Sequence, residues 1–284
     1  DTGSFGAAAR IMKTMGAQTP PATSPTLLLS QRYTPDSNAL WRAALDARWD
    51  LHRVHGLRLP PGFTVAEPVL YGETLLADAI SPPLGLAMLE PTADWLPRLP
   101  EPYRKRSVRL LPLAQAREER GPIFIKPTDE KLFPARIYAR GADVPAEELD
   151  PALPVLVSDP VAFTIEFRLF VHERHVVAWS PYIREGEIAR TAAGVWASEP
   201  TEDAAALAFA AALLADPAVA LPPAVVVDVG QLRGGGFAVV EANAAWASGV
   251  CGCDPRAVLP VLRRACQRQA ALRPEDQRWV RGAG

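Results

Sequence analysis

What this chain has little of narrows the field first. Three of its 284 residues are cysteine, an odd number too small for a disulfide framework, which points to a reducing, cytoplasmic setting. Cys251 and Cys253 form an isolated C-x-C, and without a second ligand pair they do not read as a zinc site. The four histidines, at 52, 55, 172 and 175, are spaced for a surface rather than a metal cage. No Ser/His/Asp or Cys/His nucleophilic set is apparent. No apolar run approaches the roughly 20 residues of a membrane span, so no membrane partner is expected. Neither sign of charge dominates: 30 Lys and Arg stand against 32 Asp and Glu, a net charge of −2, which gives no reason to expect a nucleic-acid partner. Residues 1–25 are rich in Ala, Gly, Ser, Thr and Pro, lack the apolar run of a signal peptide, and read as a poorly ordered leader.

What is present suits an ample core, with 49% hydrophobic and 22% charged residues, enough for one large or several small lobes. Residues 26–30 (TLLLS) form a short strand. Asp36 and Ser37 offer N-caps to a helix in which Leu40, Trp41, Ala44, Leu45 and Arg48 recur at spacings of three and four. Strands at 51–54, 69–71 and 86–89, with a helix at 73–80 between the last two, predict a small parallel α/β domain over residues 26–103. Its glycines make no dinucleotide fingerprint. Prolines at 91, 97, 100 and 102 mark a connector. Beyond it the texture is mainly β, with strands expected at 107–111, 123–126, 135–138, 155–158, 163–171, 175–179, 224–229 and 237–243. An Ala-rich helix is expected over 202–215, and a last helix, capped by Asp254, runs to about 270.

Three segments carry chemistry. In the first, the strand at 224–229 is solidly apolar except for Asp228, a carboxylate that is costly to bury unless it is paired, protonated or metal-bound. Glu241 and Asn243 lie about 7 Å apart on one face of the next strand. If the hairpin pairs Val229 near Val240, Asp228 sits across from Glu241, and the three make a hard-oxygen set suited to magnesium. The bland reading is a hairpin whose polar residues face water. In the second, FTIEFRLFV at 163–171, Ile165, Phe167, Leu169 and Val171 take the core face. Glu166 and Arg168 share the other, as a cross-strand ion pair or as a polyphosphate site. In the third, Lys126 ends an apolar strand and is followed by a polar loop carrying Lys131, which fits a flap over phosphates as well as an ordinary hairpin.

In order, a basic residue at the start of the small lobe, FIKP, the hinge VLVSDPV, E-x-R, an apolar strand with Asp, and E-x-N together resemble the ATP-grasp superfamily. VLVSDPVAF, EFRLFV, WSPYI and VEANAAWASG are most similar to a bacterial clade named for two arginines and a lysine. The likeness implies an ATP-grasp fold of mixed α/β class, with the nucleotide between two β-rich lobes, at 104–158 and 159–284, behind a small Rossmann-like domain. It implies ATP and Mg2+ as cofactors. Lys126 would meet the adenine and α-phosphate; Ser158, Asp159 and Val161 would line the hinge; Glu166 would hold the ribose. Arg168 would bind phosphates, with Arg106 in place of the usual first lysine, and Asp228, Glu241 and Asn243 would hold magnesium. Two departures stand out. TDEKLFPA has no glycine, which passes the flap's role to Lys131, and Val226 stands where an arginine is often found, which passes γ-phosphate binding to Arg168 and Arg184. The implied activity joins a carboxylate to an amine, small-molecule or peptide, through an acyl phosphate with release of ADP. A phosphotransferase without ligation and a non-catalytic nucleotide-binding protein are the alternatives. Residues 246–249 are a candidate acceptor wall.

Overall fold

The computed structural model describes residues 24–128, 132–145 and 148–282; Lys131 and residues 1–23 of the expected leader lie outside them. Strand β1 (Thr26–Ser30) carries three leucines without exposed surface and is flanked by β2 (Asp50–Val54) and β3 (Pro68–Tyr71), both parallel to it. A strand buried on both faces needs just such a continuous apolar run. Helix α1 (Pro35–Asp46) begins two residues before the start that an Asp36 cap would give. Thr34 is the N-cap, accepting from the Ser37 amide at 3.1 Å while Ser37 Oγ accepts from the Thr34 amide at 3.0 Å. Pro35 takes the first helical position, where a missing N–H costs nothing. Helix α2 (Thr74–Ile80) follows.

Strand β4 (Leu86–Met88) departs from the sequence expectation. It leaves the parallel sheet and pairs antiparallel with β14 (Cys266–Arg268) near the other end of the chain. The last long helix, α7 (Pro255–Ala265), therefore stops at Ala265 rather than near 270, because the next three residues are drawn into that ladder. The proline-rich connector is packed rather than open. It folds into α3 (Trp95–Arg98) and α4 (Glu101–Arg104), with Trp95 donating to the Ala220 carbonyl at 2.6 Å.

Two antiparallel sheets frame the site. The smaller has the order β5-β8-β6-β7, from β5 (Val108–Pro112), β6 (Ile123–Pro127), β7 (Arg136–Tyr138) and β8 (Pro154–Ser158), with α5 (Leu113–Ala116) against it. The larger has the order β11-β10-β9-β12-β13, from β9 (Phe163–His172), β10 (His175–Arg184), β11 (Glu187–Ile188), β12 (Ala224–Leu232) and β13 (Phe237–Asn243). Helix α6 (Pro200–Ala215), entered through a Glu199/Glu202 capping box, packs beneath it. On β9, Ile165, Phe167, Leu169 and Val171 join one core as expected. The opposite face is no open surface, however: Phe170 joins a second core with α1, α7 and the parallel sheet. No helix among the described residues is long and apolar enough to cross a membrane.

Candidate functional site

Asp228 pairs with Arg168 of β9 on one side and Glu241 of β13 on the other. The register shifts immediately after that pair, so that Val229 faces Val239 and Val240 is the extra residue of a bulge. Bulges re-aim neighbouring groups. β13 is the edge of its sheet, and Arg106 supplies the missing partner. It donates to the carbonyls of Val239 (2.8 Å) and Val240 (3.1 Å), and through Nε to Ser158 Oγ (3.2 Å). Burial pushes the Arg106 guanidinium down to about 10. It is thereby tied to backbone and hinge, spanning the two sheets.

Asp228 has no exposed surface, and Arg168 is 9% exposed. The two make a two-pronged ion pair, Nε to Oδ1 at 3.0 Å and Nη2 to Oδ2 at 2.7 Å. Burial works against the charged Arg168, but Asp228 overrides it and holds the guanidinium above its ordinary range. Burial likewise raises the Asp228 carboxyl, and Arg168 opposes that shift. The third arm, Nη1, donates to the Gly249 carbonyl at 3.1 Å. The same loop is fixed from the N-terminal unit, where Asp36 accepts from the Val250 amide at 2.8 Å. Asp36 was expected to cap α1; with Thr34 in that role, it is free to reach this loop.

Lys126, at the end of β6, crosses to the other sheet and meets Glu241 at 2.5 Å. Glu241 also accepts from Asn243 Nδ2 at 2.9 Å, and the same nitrogen lies 3.5 Å from Asp228. Burial works to raise the Glu241 carboxyl, but Lys126 and Asn243 outweigh it and hold the group below the ordinary carboxylate range. The expected convergence of Asp228, Glu241 and Asn243 is present. As donors for a divalent cation, however, they are unequal. Glu241 and Asn243 open onto a cavity, whereas both Asp228 oxygens face Arg168. Among the described residues no three His, Cys, Asp or Glu side chains converge as metal ligands. The oxygen donors that face the cavity and could serve a divalent cation are those of Glu241 and, with its amide turned, Asn243.

Two cavities meet at Lys126 and Glu241. The smaller, about 460 Å³, lies between the sheets and is lined by Arg106, Lys126, Ser158, Asp159, Val161 and Glu166, with apolar walls that include Leu156 and Phe163. Every residue expected to meet the nucleotide base, hinge or ribose is there. Asp159 also accepts from the Ser107 amide at 2.9 Å, which fixes the hinge. The larger cavity, about 900 Å³, holds Arg168, Asn243 and residues 246–249 on its wall. Arg184 is not brought in. It forms a two-pronged pair with Glu202 of α6 at 2.8 and 2.9 Å and lines neither cavity.

Tyr182 escaped the sequence reading. It is the extra residue where the β9–β10 register shifts between Pro181 and Ile183. Its hydroxyl donates to Glu166 at 2.9 Å and its ring lies 4.7 Å from the Arg168 guanidinium. Burial raises Glu166 above the ordinary carboxylate range, with the Tyr182 bond opposing. Proline inside a strand marks a bulge or an edge, so Pro181 was the signal that β10 would turn its neighbour out of register.

A family profile for the ATP-grasp domain, the second family of the clade named for two arginines and a lysine, matches residues 103–261. Among solved structures, the RimK domain protein ATP-grasp from Sphaerobacter thermophilus DSM 20745 is similar, with a TM-score of 0.51 and 14% identity, covering 84% of this chain and 98% of that one. D-alanine–D-alanine ligase from Bacillus anthracis has a TM-score of 0.49 and 8% identity, covering 86% and 97%. The ATP-grasp ligase PsnB, complexed with a minimal precursor, has a TM-score of 0.44 and 15% identity, covering 85% and 99%. No curated protein matches the chain.

Proposed function

Because the chain belongs to the two-arginine, one-lysine clade of ATP-grasp proteins, we propose that it is an ATP- and magnesium-dependent ligase joining a carboxylate to an amine, with ADP as product. The observation that supports this most is the meeting of two cavities at Lys126 and Glu241. One, of about 460 Å³, is lined by the residues expected to meet a nucleotide; the other, of about 900 Å³, is large enough for a second ligand. The lobe division at 104–158 and 159–284 is proposed with it.

In this reading the base lies on the apolar walls of the smaller cavity, the hinge at 158–161 meets its edge, and Glu166, steadied by Tyr182, accepts from the ribose. Lys126 exchanges Glu241 for phosphate oxygens. Arg168, locked by Asp228, presents a fixed positive charge to the larger cavity rather than swinging to meet its ligand. Magnesium, held by Glu241 and Asn243, would neutralise the terminal phosphates. A carboxylate oxygen of the substrate bonds to the γ-phosphorus as the bridge to the β-phosphate breaks, giving an acyl phosphate and ADP. The amine nitrogen then bonds to the acyl carbon, phosphate departs and the amine loses a proton. The protein's contribution is position and charge, as in other phosphoryl transfers.

The test is product identity with pooled acids and amines. The expected result is ADP and phosphate in equal amounts, with turnover beyond one ADP per enzyme only when an amine is present. AMP with pyrophosphate would overturn the mechanism, and ADP formation that ignores the amine would favour phosphoryl transfer alone.

A further inference from the structure

The larger cavity has roughly twice the volume of the nucleotide cavity, about 900 against 460 Å³. Its outer wall comes partly from residues 278–282, beyond the 103–261 segment that matches the family. Four basic side chains line it, and three are engaged with carboxylates. Lys126 meets Glu241, Arg168 meets Asp228, and Arg281 bridges Asp78 (2.7 Å) and Glu90 (3.1 Å). The fourth, Arg278, has no carboxylate partner among the described residues. Its guanidinium lies 4.6 Å from the ring of Trp279, a side chain only 5% exposed and so fixed in place. Arg278 is exposed, and contact with an immobile ring favours one position of its guanidinium, whose planar fork matches a carboxylate in two-pronged fashion. Arg281, by contrast, fastens the segment itself. Its guanidinium reaches Asp78 of α2 and Glu90 beyond β4, and its amide donates to the Met88 carbonyl at 2.8 Å.

We propose that Arg278 binds a carboxylate of the substrate that does not react, so that the larger cavity selects a molecule with a free carboxyl end in addition to its reacting group. This deepens the ligase reading and rests on the larger cavity being the substrate chamber. The chemistry is that of an amino acid or a short peptide, and the volume favours the peptide, since a single amino acid would leave most of the space empty.

Retention of ligand pools by the full chain with ADP and magnesium, read by mass spectrometry, tests it. The pools are the twenty amino acids and a mixed tripeptide set, each as free acid and as carboxyl amide. Free-acid tripeptides should be retained at least tenfold over their amides, and Arg278→Gln should abolish that preference while Arg278→Lys keeps part of it. Retention of amino acids but not peptides, both as acids, would keep the Arg278 subsite and overturn the peptide assignment. Equal retention of acids and amides, a preference that survives Arg278→Gln, or no retention by a protein whose melting temperature still rises with ATP would overturn the subsite. A protein that shows no melting shift with ATP would instead fail the ligase reading beneath it.

Discussion

Arg168 donates two of its hydrogen bonds to Asp228, and neither partner can change alone without leaving a charge in the core. Removing one member of a buried pair typically costs about 3–5 kcal/mol. Asp228→Asn should therefore lower unfolding stability by that order, read from a denaturant midpoint, and Arg168→Lys should fall between it and the wild type because one carboxylate oxygen loses its donor. A loss under about 1 kcal/mol in Asp228→Asn would mean that the pair is no stronger than a surface one. Glu241 behaves differently. It opens onto the cavities, so Glu241→Gln should abolish turnover at a stability cost of about 1 kcal/mol or less. Its pH dependence has a defined sign. The native carboxyl is held below its ordinary value of 4.5. The stability it adds is therefore fully present above 4.5 and is lost as pH falls through the depressed native value. The midpoints of wild type and Glu241→Gln should converge in that acid range; a gap that widens there would contradict the pairing with Lys126.

Among the elements, β9 was legible because its apolar residues alternate strictly, and β12 and β13 because their apolar runs carry few polar exceptions. Alternation alone puts Glu166 and Arg168 on one face, whereas Asp228 stood out as the one carboxylate of a continuous apolar run. What alternation misses is a bulge, because one extra residue breaks the period without changing composition. The Val240 bulge turns two carbonyls toward Arg106, and the Tyr182 bulge turns a hydroxyl toward Glu166. Long-range pairing was equally hidden: nothing local in residues 86–88 shows that they join residues 266–268. Gly230 gives a test at this scale. A methyl group at its Cβ position would lie 2.5 Å from the Phe163 ring, which lines the smaller cavity, the proposed nucleotide site. Gly230→Ala should thus push Phe163 into that space, costing about 1–3 kcal/mol as other overpacked sites do and weakening nucleotide binding at least severalfold by calorimetry. Unchanged affinity would place the base elsewhere.

For the whole molecule, the site is a junction between units that fold from different parts of the chain. The small sheet supplies Lys126, the large sheet supplies Arg168, Glu241 and Asn243, and α1 of the parallel unit steadies the loop behind Arg168 through Asp36. The sequence announced the carboxylates and the basic residues of the two sheets. It was silent on Asp36, whose place near a helix start looked like ordinary capping, and on the C-terminal wall, which has no pattern of its own. Arg184 was given a phosphate role only because Val226 stands where an arginine is often found, and nothing in its own surroundings in the sequence announced its pairing with Glu202. The most direct test of the account is the melting temperature with ATP and magnesium. Ligand at a hundredfold excess over Kd stabilises the folded form by about 2.7 kcal/mol, or roughly 5–10 °C for a chain near this size. The account predicts such a rise in the wild type and a much smaller one in Lys126→Ala. No rise with any nucleoside triphosphate at millimolar concentration, or an equal rise in Lys126→Ala, would contradict it.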